Sequence, residues 1–381
     1  MEKKRFWLCL SIFLVIFITG CSNKSNVIPP KPLEVFTPKL NVSYLWSKNI
    51  GNGNGGQMDI TLSPSVYDRT IYTTSFNGYI SAVNSDNGSI LWSRNSKLKL
   101  TSSPLVSEEF VIAGSLYGEL IALSRNNGNI VWQANLPSSL FSKPALYNNI
   151  IYTQTHDGSV TAYALKTGKM LWAQKVPTPD LMLIGNSSPI VYKDLVLVGN
   201  PSGSLWGFKL DDGQKQWDNP VALPNNGSPA AQMVDITATP IIDNDTLYIA
   251  TFQGSLVSFD TASGEINWQV KASIFNNLGS SYDQLFASTA TGQIIAYSKK
   301  IGTISWKQDM LEGRKPSAPL YTDGYVILGD YEGYVHIFSA QTGQYLDRVK
   351  IGGNGIRSQP IAIGKKIFVQ TNNGKLAALA L

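Results

Sequence analysis

Along most of this chain, short runs of apolar residues alternate with polar turns bearing glycine, and the whole pattern returns at a period near 40. One copy is PALYNNIIYTQTHDGSVTAYALKTGKMLW, from Pro144 to Trp172. About its central Gly158, a proline stands 14 residues before, a second glycine 10 after and a tryptophan 14 after. The central glycines are Gly78, Gly118, Gly158, Gly203, Gly254, Gly292, Gly333 and Gly374. The proline recurs at Pro64, Pro104, Pro144, Pro189, Pro240, Pro319 and Pro360, with Leu278 in its place in the sixth copy. The second glycine recurs from Gly88 to Gly343 and the tryptophan from Trp92 to Trp306, with Asp347 in the tryptophan place of the seventh copy. Ile150 to Thr155, Ser159 to Ala164 and Lys169 to Ala173 read as strands, joined at Asp157-Gly158 and Thr167-Gly168, where glycine supplies the positive φ of a tight turn. With the run that follows the proline, each copy holds four antiparallel strands. Helix signals between copies are missing, which excludes helical solenoids and βαβ units. The pattern predicts an all-β fold, an eight-bladed β-propeller of four-stranded antiparallel blades.

Side-chain size supports radial packing. Two residues after each central glycine stands a large aliphatic residue, from Ile80 to Leu376, and four after it a small one, Ala82, Ala122, Ala162, Gly207, Ser258, Ala296 and Ala378, with Ile337 as the exception. This alternation suits faces that interdigitate toward an axis. A tryptophan that recurs in nearly every blade is expected as an apolar plug between neighbours, since a ligand contact need not repeat. The eighth copy reaches Leu381 after its third strand, while Tyr44-Leu45-Trp46-Ser47 resembles a fourth strand with nothing before it. The expectation is that the N-terminal strand closes the ring, making residues 44–381 one propeller.

Lys3, Lys4 and Arg5 precede an apolar run of 13 residues, Phe6 to Ile18. That is short for a bilayer span and reads as a secretory signal over residues 1–20. Ile18-Thr19-Gly20-Cys21 resembles a bacterial lipobox, which implies a lipidated N-terminal Cys21. Ser22 after the cysteine implies, by resemblance to sorted lipoproteins, the periplasmic side of the outer membrane. Residues 21–43 are expected to be the lipidated cysteine and a flexible tether, reaching about 70 Å if fully extended. Cys9 leaves with the signal, so Cys21 has no partner for a disulfide. Loss of Glu2, Lys3, Lys4 and Arg5 takes the net charge from +5 to +3, too little to argue for nucleic acid.

Little in the chain points to catalysis. Gly51-Asn52-Gly53-Asn54-Gly55-Gly56 satisfies GxGxxG, but a strand rather than a helix follows, so a flexible inter-blade loop is expected instead of a dinucleotide site. His156 and His336 are far apart in sequence, lack a cysteine or third ligand for zinc, and read as solvated turn or strand residues. The blades resemble those of quinoprotein dehydrogenases, which implies a quinone enzyme as one alternative. The mature chain lacks the adjacent cysteines many of those enzymes carry, so neither cofactor nor metal is expected. A glycan-binding propeller is a further alternative.

The connections between blades are more informative. From tryptophan to next proline they run 12 residues after Trp92 and Trp132 and 13 after Trp306, but 17 after Trp172 and 23 after Trp217. Long loops on a rigid ring commonly carry function. The first holds Asp180-Leu181-Met182-Leu183-Ile184, an apolar run in a place that should be polar. In an extended segment Leu181 and Leu183 point the same way. They form either an exposed protein-binding patch or a segment tucked on the core. The second loop, Asn219 to Thr239, reads as mobile and carries Asp235.

Lipobox, tether, eight blades closed by an N-terminal strand and a long loop before the fourth blade together resemble the BamB family, lipoproteins of the outer-membrane β-barrel assembly (Bam) complex. The resemblance covers the whole chain and implies a non-catalytic scaffold that binds the POTRA domains of BamA, with unfolded barrel proteins as further candidate ligands. In that family, LxLRG before the fourth blade and an acidic DxD before the fifth meet BamA. Here Leu181-Met182-Leu183-Ile184-Gly185 keeps both leucines and has Ile184 for the arginine, and Asp235-Ile236-Thr237 keeps one acid. The implied contact is apolar, through Leu181, Leu183 and Ile184, with Asp235 receiving a basic residue at the rim.

Overall fold

The structure, a computed structural model, describes residues 28–57, 59–224 and 226–381. The signal segment and Cys21 lie outside the described residues. Eight four-stranded antiparallel sheets follow one another around a ring. Blade one is Ser65–Tyr67, Thr70–Thr74, Tyr79–Asn84 and Ile90–Asn95, and the others repeat this order. In blade eight, Ile361–Ile363, Lys366–Gln370 and Lys375–Ala380 are joined by Ser43–Asn49 as fourth strand, paired from Ser43 opposite Ala380 to Asn49 opposite Lys375. The second and third strands of each blade are buried and the fourth is largely exposed, so the fourth strand is outermost.

The tryptophans are plugs, and two further regularities explain why. Each tryptophan lies in register with the small residue of the adjacent strand: Ala82 with Trp92, Ala122 with Trp132, Ala162 with Trp172, Ala296 with Trp306, Ala378 with Trp46. The small residue makes room for the indole. Each indole then covers the second glycine of the next blade; a Cβ at Gly128 would stand 2.5 Å from Trp92 Cε3. The indole Nε1 of Trp92 donates to Arg125 O at 2.8 Å, and Trp132, Trp172, Trp268 and Trp306 make the equivalent bond. Asp347 now has a reason. Blade eight takes its fourth strand from the other end of the chain, so it has no turn glycine between third and fourth strands to receive an indole from blade seven. The bulky Ile337 stands opposite Asp347, where a tryptophan would need a small residue. Trp217 departs from the plug pattern: nothing lies within 4 Å of a Cβ at Gly264, and the indole packs on Gly207 of its own blade, where the absent side chain leaves space.

Three expectations are corrected. The loop at Gly51 to Gly56 is held rather than flexible: Phe76 N donates to Gly53 O at 2.7 Å and Asn54 N to Asn372 O at 3.1 Å, and a Cβ at Gly53 would stand 2.3 Å from Asn372 O. His336 is fully buried rather than solvated, with Nε2 3.1 Å from Asp330 Oδ2 and Nδ1 2.8 Å from the Tyr345 hydroxyl. Asp330 also accepts from Arg314 Nε at 2.9 Å, and burial holds the His336 pKa below its ordinary value. Residues 28–42, expected as tether, lie against blade seven. Lys31 Nζ meets Asp309 at 2.8 Å and Glu312 at 2.9 Å, Lys39 N donates to Leu346 O, and Phe36 packs 4.6 Å from the Tyr345 ring. The segment thus follows the outer strand of the one blade that lacks a tryptophan.

Around the axis, the residue before each proline, or before Leu278, forms a girdle: Ser63, Ser103, Lys143, Ser188, Thr239, Asn277, Ala318 and Gln359. Backbone N–H groups donate to the side chain at the same place in the next blade, Gln359 to Ser63 at 3.0 Å, Ser63 to Ser103 at 2.9 Å, Lys143 to Ser188 at 3.2 Å, Ser188 to Thr239 at 3.2 Å and Thr239 to Asn277 at 2.8 Å. Lys143 and Ala318 offer no acceptor and interrupt it.

Candidate protein-binding site

The connections between blades and the turns at the central glycines share one face of the ring, as Ser96 N donating to Gly78 O and Val176 N to Gly158 O show. The two long connections flank blade four on this face. In the first, Leu181 and Ile184 are exposed at 46% and 50%, while Met182 and Leu183 are half-buried. Leu183 and Ile184 also line the mouth of the axial cavity. In the second connection Leu223 is 76% exposed. Leu181 faces outward as expected and Leu183 does not: the chain bends at Gly185, at φ 117°, and Ile184 stands at the surface in its place.

Asp235 is not at an exposed rim. Its side chain is fully buried, between the buried Val234 and Ile236. Its Oδ1 accepts the Leu183 N–H at 2.7 Å, its own carbonyl accepts Phe252 N–H at 2.9 Å, and Oδ2 has no hydrogen-bond partner among the described residues. The connection that was expected to be mobile is anchored here by Val234, Asp235 and Ile236, with a short 3-10 turn at Pro229–Gln232 before them. Asp235 is thus a bolt between the two long connections: it fixes Leu183 and leaves Leu181 and Ile184 facing outward.

Burial raises the Asp235 pKa above the ordinary carboxylate value, partly offset by the Leu183 N–H. A carboxyl whose pKa is raised on folding contributes stability that is complete below its unfolded value and is lost as pH rises through the folded one. At neutral pH the ionised, half-satisfied carboxylate is therefore a cost. Asp235→Asn keeps an oxygen for Leu183 and removes the charge. Its thermal midpoint should exceed that of the unmutated chain at pH 7, with the gap closing as pH falls into the carboxylate range. Melting curves across pH check this; a gap independent of pH would contradict it.

His156 lies beside this region. It is half-buried, edge-on to Phe141 at 5.5 Å, and burial lowers its pKa. Among the described residues no group of three His, Cys, Asp or Glu side chains is placed to hold a metal ion.

Comparison with known proteins agrees with this architecture. A family model described as outer membrane protein assembly factor BamB matches residues 76–308 and 280–381. Outer membrane protein assembly factor BamB of Francisella tularensis subsp. tularensis is 40% identical over 98% of this chain and 83% of its own length. The protein of the same name from Pseudomonas aeruginosa is 39% identical over 97% of each chain. The crystal structure of BamB from Moraxella catarrhalis superposes with a TM-score of 0.81 over 90% of this chain and 100% of its own, at 22% identity. Quinohemoprotein alcohol dehydrogenase from Comamonas testosteroni shares the fold, with a TM-score of 0.70 over 89% of this chain and 76% of its own, at only 13% identity. The repeat spacing, the ring closed by Ser43–Asn49 and these full-length matches lead to one conclusion: the chain belongs to the BamB family of outer membrane protein assembly factors.

Proposed function

We propose that this chain is a scaffold of the Bam complex that receives the POTRA domains of BamA on the face around blade four. The observation that carries the proposal is the exposure of Leu181 and Ile184 on a connection whose backbone is fixed by Asp235. Apolar side chains already held in place lose little further freedom on binding, which is what makes effective anchors. Leu223, on the other long connection that flanks blade four, is a further exposed apolar side chain. The contact is apolar, with Ile184 where the family's motif has an arginine, so its strength should depend little on salt. Unfolded barrel proteins are a second class of ligand for the same scaffold. Co-purification tests the role: BamA should accompany the tagged chain from detergent-solubilised membranes at moderate and high salt, and its absence from both would contradict the proposal.

Lipidation of Cys21 would hold the ring at the inner leaflet of the outer membrane, where BamA's periplasmic domains are within reach. Cys21→Ala should give a folded chain in the soluble periplasmic fraction, where the unmutated chain sediments with membranes. Equal membrane retention of both would argue against the anchor.

A further inference from the structure

The blades enclose an axial cavity of about 690 Å³, in the range of small-molecule sites. Its girdle is made of serine, threonine, asparagine, glutamine and alanine except in blade three, where Lys143 stands. A lysine there is not needed for the ring, because three other blades use serine and its presence interrupts the girdle of hydrogen bonds. Its Nζ crosses to blade one and donates to Ser65 Oγ at 3.0 Å. Arg357, on blade eight next to blade one, lines the same cavity. Neither cation forms an ion pair among the described residues, and Asp59 is the one acidic residue among those lining the cavity. Solvent reaches Lys143 through the cavity, yet the surrounding walls push its pKa down, and they do the same to Arg357 against the pull of Asp59. Two cations kept in a confined space without an ion-pair partner, one of them only under the pull of Asp59, cost stability, which a bound anion would recover. The lining also carries three aromatic rings, Phe141, Phe252 and Phe275.

We propose that the axial cavity is a binding site for an organic oxyanion, a carboxylate or phosphate carried on an apolar group, with Lys143 and Arg357 holding its charged end and the three phenylalanines its apolar end. Charge-assisted hydrogen bonds from a lysine and an arginine suit either headgroup. Ile184 borders both this cavity and the exposed patch, but Lys143 and Arg357 belong to the cavity alone, so substitutions at these two cations test the anion site without testing the BamA reading. Calorimetric titration of the detergent-solubilised full chain with phenyl phosphate, phenylacetate and benzyl alcohol tests it. At least one of the two anions should bind saturably, and the one that does so more tightly identifies the headgroup, while the neutral alcohol should not bind. Lys143→Ser restores the hydroxyl of the other blades, so it should melt no lower than the unmutated chain and yet bind the anion ~10-fold or more weakly, as should Arg357→Gln. Failure of both anions to saturate at millimolar concentration, equal binding of benzyl alcohol, or unchanged affinity in folded Lys143→Ser and Arg357→Gln would overturn the assignment.

Discussion

Deleting Ser43–Asn49 is expected to abolish cooperative folding of the ring at physiological temperature. The strand supplies the whole fourth position of blade eight, in register with Lys375–Ala380. Its loss uncovers a buried sheet edge and removes Trp46, which packs 5.8 Å from Phe368 and covers Gly88 of blade one. Truncating a tryptophan of this kind costs about 3–5 kcal/mol on its own. Whole domains are stable by only about 5–15 kcal/mol, so losing the plug together with the strand's pairing leaves little or nothing. Deleting residues 28–36 offers the contrast. That removes the surface pairs of Lys31 and the packing of Leu33 and Phe36 on blade seven, and should lower the thermal midpoint by a few degrees with cooperativity intact. Equal midpoints for the two deletions would show that the ring is not closed by this strand.

The second large effect is expected at the partner face. Leu181→Ala with Ile184→Ala should leave the thermal midpoint unchanged, because both side chains are about half exposed, and should remove most of the affinity for BamA. Truncating an interface anchor commonly costs about 2 kcal/mol or more, roughly 30-fold in affinity for each residue. Leu183→Ala is a different experiment. Its side chain is half-buried at the cavity mouth, so it should cost stability as well as binding. Asp235→Ala frees the Leu183 N–H and leaves a buried gap, so its effect on binding would come through disorder of the connection, not through a lost salt bridge.

What was legible in the sequence was whatever repeats. Glycine, proline and tryptophan at fixed offsets report local turn geometry and inter-blade packing in copy after copy, so chance coincidence averages out. The closing strand was legible for the same reason, as a piece of the pattern found at the wrong end. Single features were not. Asp235 looks like a surface acid, and only its position between two long connections makes it an internal hydrogen-bond acceptor. His336 is buried because Asp330 and Arg314 approach it from a neighbouring turn and the preceding inter-blade connection, contacts that no local spacing announces. Residues 28–42 are polar enough to read as tether, and their packing depends on an uncovered outer strand more than 300 residues away. Lys143 did carry a signal: it is the one charged residue in a place otherwise held by small polar residues, alanine or glutamine.

The central claim is that the blade-four face binds BamA, and the most direct test is an interferometry titration of purified BamA periplasmic domains against the full chain in detergent. Saturable binding is predicted, little changed between moderate and high salt, retained by Lys143→Ser and lost to a large extent by Leu181→Ala with Ile184→Ala. Absence of saturable binding by the unmutated chain, or equal affinity of the folded double variant, would contradict it.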